Sequence, residues 1–489
     1  MANLVFYDFE TCSSNVSYGQ IIQAAAILVN DNFQELDRYE GRCKLSPGII
    51  PEAMALIVNK TTPKILKETN LSHYQMIRQM MEKFSQWKNS IFIGYNSINF
   101  DEEFLRRTLF KNLDYPYLTV TNGNERADLF SLTRASYLYY PNCIKTPISA
   151  KNNPVFKLDK LAPMNGIKHD DAHSAISDVL ATVEIAKLLS KTAPNVWKTS
   201  LMTTNKDKTL QLIKNELTFC TDFFYYGKSF PFVLTYVCEH PQWGYPMCFD
   251  LKSDPKYYFN LSISELKKEL KKTPKVIRTI KHKKHPIIMN SSYGMNFDRY
   301  KQLGLPELQK RAKLIKENKD FADKVSSVLD EEAREKKDFD SQEEVFAEES
   351  IYKKFTTKED NAIMPAFHKA DWEKKFLVLQ KFKDERLRYF GKKIIYEESP
   401  ESLPKDEYDA IHKEIASRVL STNEEKWNTI PNAYKEIDDL RNEYDNLDDQ
   451  KVYDIVILGS NSYRRIDVAI DIVDNLIIKT QLSTYLVFL

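Results

Sequence analysis

The run Leu4-Val5-Phe6-Tyr7-Asp8-Phe9-Glu10 constrains the fold more than any other segment. A short apolar, partly β-branched stretch is the mark of a buried strand. Side chains on a strand alternate between its faces, so Asp8 and Glu10 project to one side while Phe9 points to the other. Two neighbouring carboxylates repel, and each raises the other's pKa unless a cation lies between them. Hard oxygen donors of this kind suit magnesium or manganese. An isolated Asp-x-Glu is common, and the pair by itself does not specify a site.

The following 180 or so residues read as an α/β domain (mixed sheet flanked by helices), assigned to residues 1–190. Ile21 to Asn30, Arg38 to Lys44 and Ser90 to Tyr95 are candidate strands. Tyr74 to Lys88 is amphipathic, with Ile77, Met80, Met81, Phe84 and Trp87 at helical spacing. Asp101 to Phe110 and Ala172 to Ser190 are further helices, the last with a stripe through Ile176, Val179, Val183 and Ala186. Strands and helices mixed in this order favour a mixed sheet covered by helices. Lys191 to Lys206 reads as a polar linker. Residues 191–345 are assigned to a small β-rich, barrel-like domain, on the aromatic and β-branched runs Phe223 to Tyr226 and Phe232 to Val237. Residues 346–489 are assigned to an α-helical C-terminal domain. Asp330 to Glu349 is charge-dense and reads as a mobile connection, and the apolar stretch Ile466 to Leu489 suggests no function.

Two more pieces carry candidate chemistry. In Gly94-Tyr95-Asn96-Ser97-Ile98-Asn99-Phe100-Asp101 a buried strand ends in a polar turn and Asp101 opens the next helix. A carboxylate there also has a purely structural use, because it stabilises the helix N-terminus. In His173-Ser174-Ala175-Ile176-Ser177-Asp178 the residues His173 and Asp178 are five apart, so they do not share one helical stripe. From a position at or just before the helix start, His173 reaches a point near Asp178 from a different direction. Asp178 sits beside an apolar stripe, where an unpaired carboxylate is costly.

Taken in order, the acidic pair Asp8/Glu10, then Asp101, then His173 with Asp178 resemble the DEDD exonuclease superfamily, in its DEDDh branch. The block from His169 to Leu189, Gly94 to Arg107, Asp128 to Ser136 and Phe156 to Leu161 are similar to the bacterial exonuclease I family. So are Lys284-His285-Pro286-Ile287, Asn290, Leu303-Gly304 and, more loosely, Phe382 to Leu403. The resemblance implies a ribonuclease H-like catalytic domain, a small barrel of Src-homology type and a helical domain around single-stranded DNA. It implies 3′ to 5′ hydrolysis that releases nucleoside 5′-monophosphates in DNA repair and recombination. It also implies two magnesium ions held by Asp8, Glu10, Asp101 and Asp178, with manganese as a substitute. His173 is the implied proton acceptor, and an unperturbed imidazole pKa of about 6.5 suits it to that task. A family arginine becomes Lys157, which keeps charge without a bidentate fork. Another becomes Tyr140, able to stack on a base. Arg134 and the basic turn residues Lys281, Lys283 and Lys284 complete the expected DNA contacts.

Alternatives stay open within and beyond the branch. A polymerase proofreading exonuclease or an RNA-trimming exoribonuclease needs little more than the first domain, and a non-catalytic DNA-binding scaffold would have lost one of the five residues. Single-strand-binding protein is a partner implied by the resemblance alone, and the expected state is a monomer. Charge excludes little: Lys and Arg number 70 against 69 Asp and Glu, so basic residues would have to cluster, as they do between Lys267 and Lys284. The six cysteines form no CxxC pair and read as buried thiols. The first ten residues do not resemble a signal peptide, and no apolar run reaches the roughly 18 residues of a membrane span. The expectation is a cytoplasmic chain.

Overall fold

The computed structural model describes residues 3–169, 172–337 and 345–445. The expectation for Ile466 to Leu489 lies outside these residues. The first unit is built on five strands: β1 (Leu4–Thr11), β2 (Ile21–Val29), β3 (Glu35–Arg42), β4 (Ile91–Gly94) and β5 (Glu125–Asp128). Their order is β3-β2-β1-β4-β5, so β1 is central. It pairs antiparallel with β2 and parallel with β4, and β4 pairs parallel with β5. The mixed sheet is the one the sequence implies.

Alternation along the strands sorts the core into two layers. Leu4 and Phe6 of β1, with Ala25 and Ile27 of β2, face α3 (Leu129–Tyr139) and α5 (Ala175–Thr192) through Leu132, Val179, Val183 and Ala186. Val5, Tyr7 and Phe9, with Ala24 and Ala26, face α1 (His73–Gln86) and α2 (Asp101–Lys111) through Met76, Met80, Phe84, Phe104 and Leu109. The three consecutive alanines of β2, all fully buried, keep both surfaces of that strand low so that helices can approach. Ser72 starts α1 with a capping box to Gln75.

The expected linker after residue 190 is instead packed. Pro194 opens a helix, Pro194–Ser200, whose Val196 joins the same core, and the Trp197 ring lies 5.5 Å from that of Phe33. The second unit holds β6 (Phe219–Tyr225), β7 (Lys228–Glu239), β8 (Pro246–Asp250), β9 (Ile277–Thr279) and β10 (Ile288–Asn290). They form an antiparallel sheet ordered β10-β6-β7-β8-β9, and these pairs alone do not close a barrel. The reading of Asp330 to Glu349 as a mobile connection is corrected at its start. Asp330 lies inside a helix, Lys319–Lys337, anchored by buried Phe321, Val325 and Val328. Beyond residue 345 the described chain is helical and packs on the first unit. Phe110 meets Phe390 at 5.3 Å between ring centroids, and the Ala53 and Met54 N–H groups donate to Glu436 at 2.9 and 3.0 Å.

All six cysteines are free, five of them buried. Among the described residues no helix is long and apolar enough to cross a membrane.

The end of β4 is tightly packed. A Cβ on Gly94 would run into the Ser97 side chain and stand 3.2 Å from the Tyr7 carbonyl oxygen. Gly94→Ala is expected to cost about 1–3 kcal/mol and to displace the turn that leads to Asp101. A urea titration of the variant beside the wild type checks this; an unchanged midpoint would refute it.

Candidate active site

Asp8 and Glu10 continue the face of β1 that carries Leu4 and Phe6, the face covered by α5. They stop the apolar layer at the strand's end, and both are half-buried while Tyr7 and Phe9 beside them are buried. Asp101 arrives from the other side. After β4 the chain turns through Asn96, which has a left-handed φ of 63°, and a 3-10 turn Ser97–Asn99. This delivers Asp101 to the first turn of α2, buried, where its Oδ1 accepts the Phe9 backbone N–H at 3.3 Å. That bond fixes Asp101 to the strand between Asp8 and Glu10.

The helix expected from Ala172 starts at Ala175, so His173 lies just outside it. Its φ of 68° is left-handed, a conformation that costs a non-glycine residue of order 1–3 kcal/mol and is often kept at functional sites. The turn aims the His173 N–H at Asp178 Oδ1, 3.3 Å away. One donor atom each from Glu10, His173 and Asp178 lies within 4.8 Å of the other two. The two carboxylates are hard oxygen donors that suit a divalent cation, and the imidazole stands beside them.

The electrostatics follow from burial and crowding. Desolvation is the first cause that holds the Asp8 carboxyl well above its usual range, followed by Asp101, Asp178 and Glu10. Glu10 is pushed up to about 9 by desolvation and then by Asp178 and Asp101, against the pull of Arg42 and Lys60. Asp101 is pushed up to about 7, again chiefly by burial, with its own and the Phe9 backbone N–H opposing. Without a cation these groups hold protons that a bound metal would replace.

Two histidines escaped assignment from sequence. His169 Nε2 lies 2.5 Å from Asp178 Oδ1 with its side chain almost fully buried. Its sequence signals are its place four residues before His173 and its position at the head of the block His169 to Leu189, and neither gave it a role. His285 is buried between units. Its Nδ1 accepts the Asp128 N–H at 3.0 Å and its Nε2 donates to the Ser200 carbonyl at 2.9 Å, while burial pushes its pKa down to about 4. Asp128 in turn accepts the Asn96 and Ile98 N–H groups at 3.0 and 3.4 Å. The second unit thereby braces the turn that carries Asp101.

The six expected DNA contacts separate in space. Lys157 is exposed at the start of α4 (Leu158–Met164), next to Phe156, whose carbonyl accepts the Tyr95 hydroxyl at 2.6 Å. Lys281, Lys283 and Lys284 are exposed on the turn before His285, and Lys284 Nζ donates to Asn99 Oδ1 at 2.7 Å, two residues from Asp101. Arg134 is stacked between Phe130 and Phe224, at 4.9 and 4.4 Å. Tyr140 caps the far end of the 11-residue α3, ~16 Å along the helix from Asp128, and its hydroxyl is 2.7 Å from that of Tyr293. Further back in the basic run, Lys267 is spent on Glu331 and Glu335 and Arg278 lies 3.5 Å over the Phe232 ring.

Residues 5–186 match the exonuclease (RNase_T) family model. Over those residues the first unit is similar to that exonuclease family. Relatives named exodeoxyribonuclease I match part of the chain: that of Buchnera aphidicola from Schizaphis graminum is 32% identical over 216 residues, 44% of this chain and 45% of its own. The Haemophilus influenzae protein is 33% identical over 39% of this chain and 41% of its own, and the Escherichia coli protein 29% over 43% and 45%. The chain spans about half the length of the curated relatives it matches. Solved structures extend the likeness in fold beyond the first unit. Exonuclease I from Methylocaldum szegediense superposes with a TM-score of 0.79 at 20% identity, over 98% of this chain and all of that one. Escherichia coli exonuclease I in complex with a dA16 oligonucleotide gives 0.76 at 18%, over 97% and 100%.

A pH dependence follows from the raised carboxyls of the first unit. Between about pH 4, where such groups ionise in an unfolded chain, and the range of about 7 to 9 reached by Asp101 and Glu10, the folded protein binds more protons than the unfolded one. Stability therefore falls as pH rises through that window. The melting temperature of metal-free protein is expected to drop from pH 5 to pH 9, with saturating Mn2+ flattening the slope. Equal slopes with and without metal would refute the assignment.

Proposed function

We propose that the chain is a 3′ to 5′ exonuclease that hydrolyses single-stranded DNA to nucleoside 5′-monophosphates with magnesium. The convergence of Glu10, His173 and Asp178 is the observation that carries this reading, with Asp101 near enough to raise the carboxyls of both Asp8 and Glu10. The Escherichia coli structure in complex with dA16, similar in fold, supports a single-stranded DNA substrate.

Asp8, Glu10 and Asp178 would hold one ion and Asp8 with Asp101 a second. Bound there, such a pair neutralises charge on the scissile phosphate and eases ionisation of a water. His173, poised outside the helix, takes the proton of the attacking water. The P–O3′ bond breaks, leaving a 3′ hydroxyl on the shortened strand and the phosphate on the departing nucleotide. Lys157 and Lys284 meet backbone phosphates on either side of the catalytic turn. The β6–β7 hairpin offers bases a surface: Tyr226 is 95% exposed at its tip, and Phe224, Tyr225 and Phe230 are each around 40%. Stacking of this kind grips unpaired bases without reading their identity.

On a 5′-labelled single-stranded DNA oligonucleotide, Mg2+ is expected to support stepwise shortening from the 3′ end, abolished by EDTA and slower on duplex and on RNA. Faster loss of RNA would point instead to an exoribonuclease, and binding without cleavage to a scaffold. His173→Ala should lose most turnover, by about 100-fold or more, while keeping metal and DNA; Asp8→Ala should lose metal as well. Tyr226→Ala should weaken single-stranded DNA binding by roughly 1–3 kcal/mol, read by fluorescence anisotropy, with catalysis at saturating DNA preserved.

A further inference from the structure

Asp178 is the acidic residue of the site with the most closely held carboxylate oxygen. Its Oδ1 receives His169 Nε2 at 2.5 Å and the His173 backbone N–H at 3.3 Å. The His169 side chain is 1% exposed, and its other ring nitrogen, Nδ1, has no hydrogen-bond partner among the described residues. A buried histidine that satisfies one nitrogen and leaves the other bare is a poor choice for packing alone. Nε2 faces a carboxylate oxygen, so that nitrogen carries the hydrogen. Asp178 also stands among Asp8 and Glu10, each of which it repels. An unrestrained carboxylate would rotate away from them. Two donors on one oxygen oppose that rotation, and one of the two comes from outside the turn that Asp178 itself stabilises.

We infer that His169 is a positioning residue, which holds the Asp178 carboxylate in the orientation that binds the divalent cation. The inference rests on the cation reading of the site proposed above. It assigns His169 no contact with substrate or cation. Hydrogen bonds behind metal ligands typically change metal affinity by about 10–100-fold when removed.

Manganese binding without DNA, measured by calorimetry and by electron paramagnetic resonance of free Mn2+, tests it alongside the melting temperature. His169→Leu keeps an apolar body and loses the donor; its Mn2+ affinity is expected to fall about 10–100-fold. His169→Gln places an amide N–H where Nε2 was and is expected to restore most of that loss. Exonuclease activity of the leucine variant should recover as Mn2+ is raised. A folded leucine variant with wild-type Mn2+ affinity would overturn the inference, as would leucine and glutamine variants that are equally weak. Should leucine not be tolerated, His169→Asn, whose shorter amide falls short of Oδ1, replaces it. Asparagine weaker than glutamine supports the role, and equality of the two overturns it. Asp178→Asn separates the two levels. If it binds Mn2+ like wild type, the cation reading fails; if it loses Mn2+ while His169→Leu does not, only the role of His169 fails.

Discussion

Mutual repulsion among Asp8, Glu10, Asp101 and Asp178 is the constraint around which the first unit is organised. A sheet and two helices bring the four together, and both desolvation and like charge oppose ionisation of Asp8, Glu10 and Asp101. The protein does not relieve this with one strong ion pair. Three of the four carboxylates have partners from different elements: the Phe9 N–H for Asp101, two N–H donors around Asp178, and the pull of Arg42 and Lys60 on Glu10. Neutral N–H donors orient a carboxylate without cancelling its charge. A site meant to attract a cation needs that combination, because a buried guanidinium in the same place would occupy the cation's position.

The same logic explains why the site extends past the first unit. Asp101 is only as well placed as the turn Asn96–Asn99, and that turn hangs from Asp128. Asp128 is engaged by His285, a residue of the second unit, whose ring also reaches Ser200. One buried imidazole therefore joins the basic turn Lys281–Lys284, the helix Pro194–Ser200 and the catalytic turn. Lys284 adds a direct bond to Asn99. Movement of the second sheet against the first would be felt at Asp101 through two hydrogen bonds, which ties any grip on the strand to the geometry of the reacting end.

The residues of the site were readable in sequence where local geometry alone determined them. Strand alternation was enough to place Asp8 and Glu10 on one face, and the helical stripe through Val179 and Val183 was enough to turn Asp178 toward β1. The five-residue spacing showed that His173 and Asp178 do not share a helical stripe, but the helix expected from Ala172 starts only at Ala175, so the place of His173 before the helix came from the fold. His169 and His285 were not legible, since each acts across a fold contact that no spacing encodes. The second unit shows the opposite failure. Nine basic residues from Lys267 to Lys284 look like one surface in sequence. In space the chain divides them: Lys267 and Lys272 pair with glutamates, Arg278 is buried against Phe232, and Lys281, Lys283 and Lys284 stay exposed. The linker was misread for a related reason, because Val196 and Trp197 become apolar anchors only once Phe33 and the shared core are beside them.

The division of the basic run changes what kind of surface lies around the site. For the substrate proposed above, the exposed Lys157, Lys281, Lys283 and Lys284 would give a short-range grip that salt screens readily. The aromatic residues supply what charge does not. Tyr95, directly after β4, stands 5.8 Å from Phe130, and Phe130 stands 6.1 Å from Phe224 on the β6–β7 hairpin. Arg134 lies over both of the latter rings, and Asn153 donates to the Tyr226 carbonyl at 2.7 Å. Arg134 therefore ties the hairpin to the first unit. A hairpin held by a stacked guanidinium and one backbone bond keeps its exposed rings in place before any base arrives, so little ordering cost remains when one does. The near-neutral chain is thus compatible with the substrate proposed above, whose contacts would depend on a few placed charges and a preorganised aromatic edge rather than on bulk positive charge.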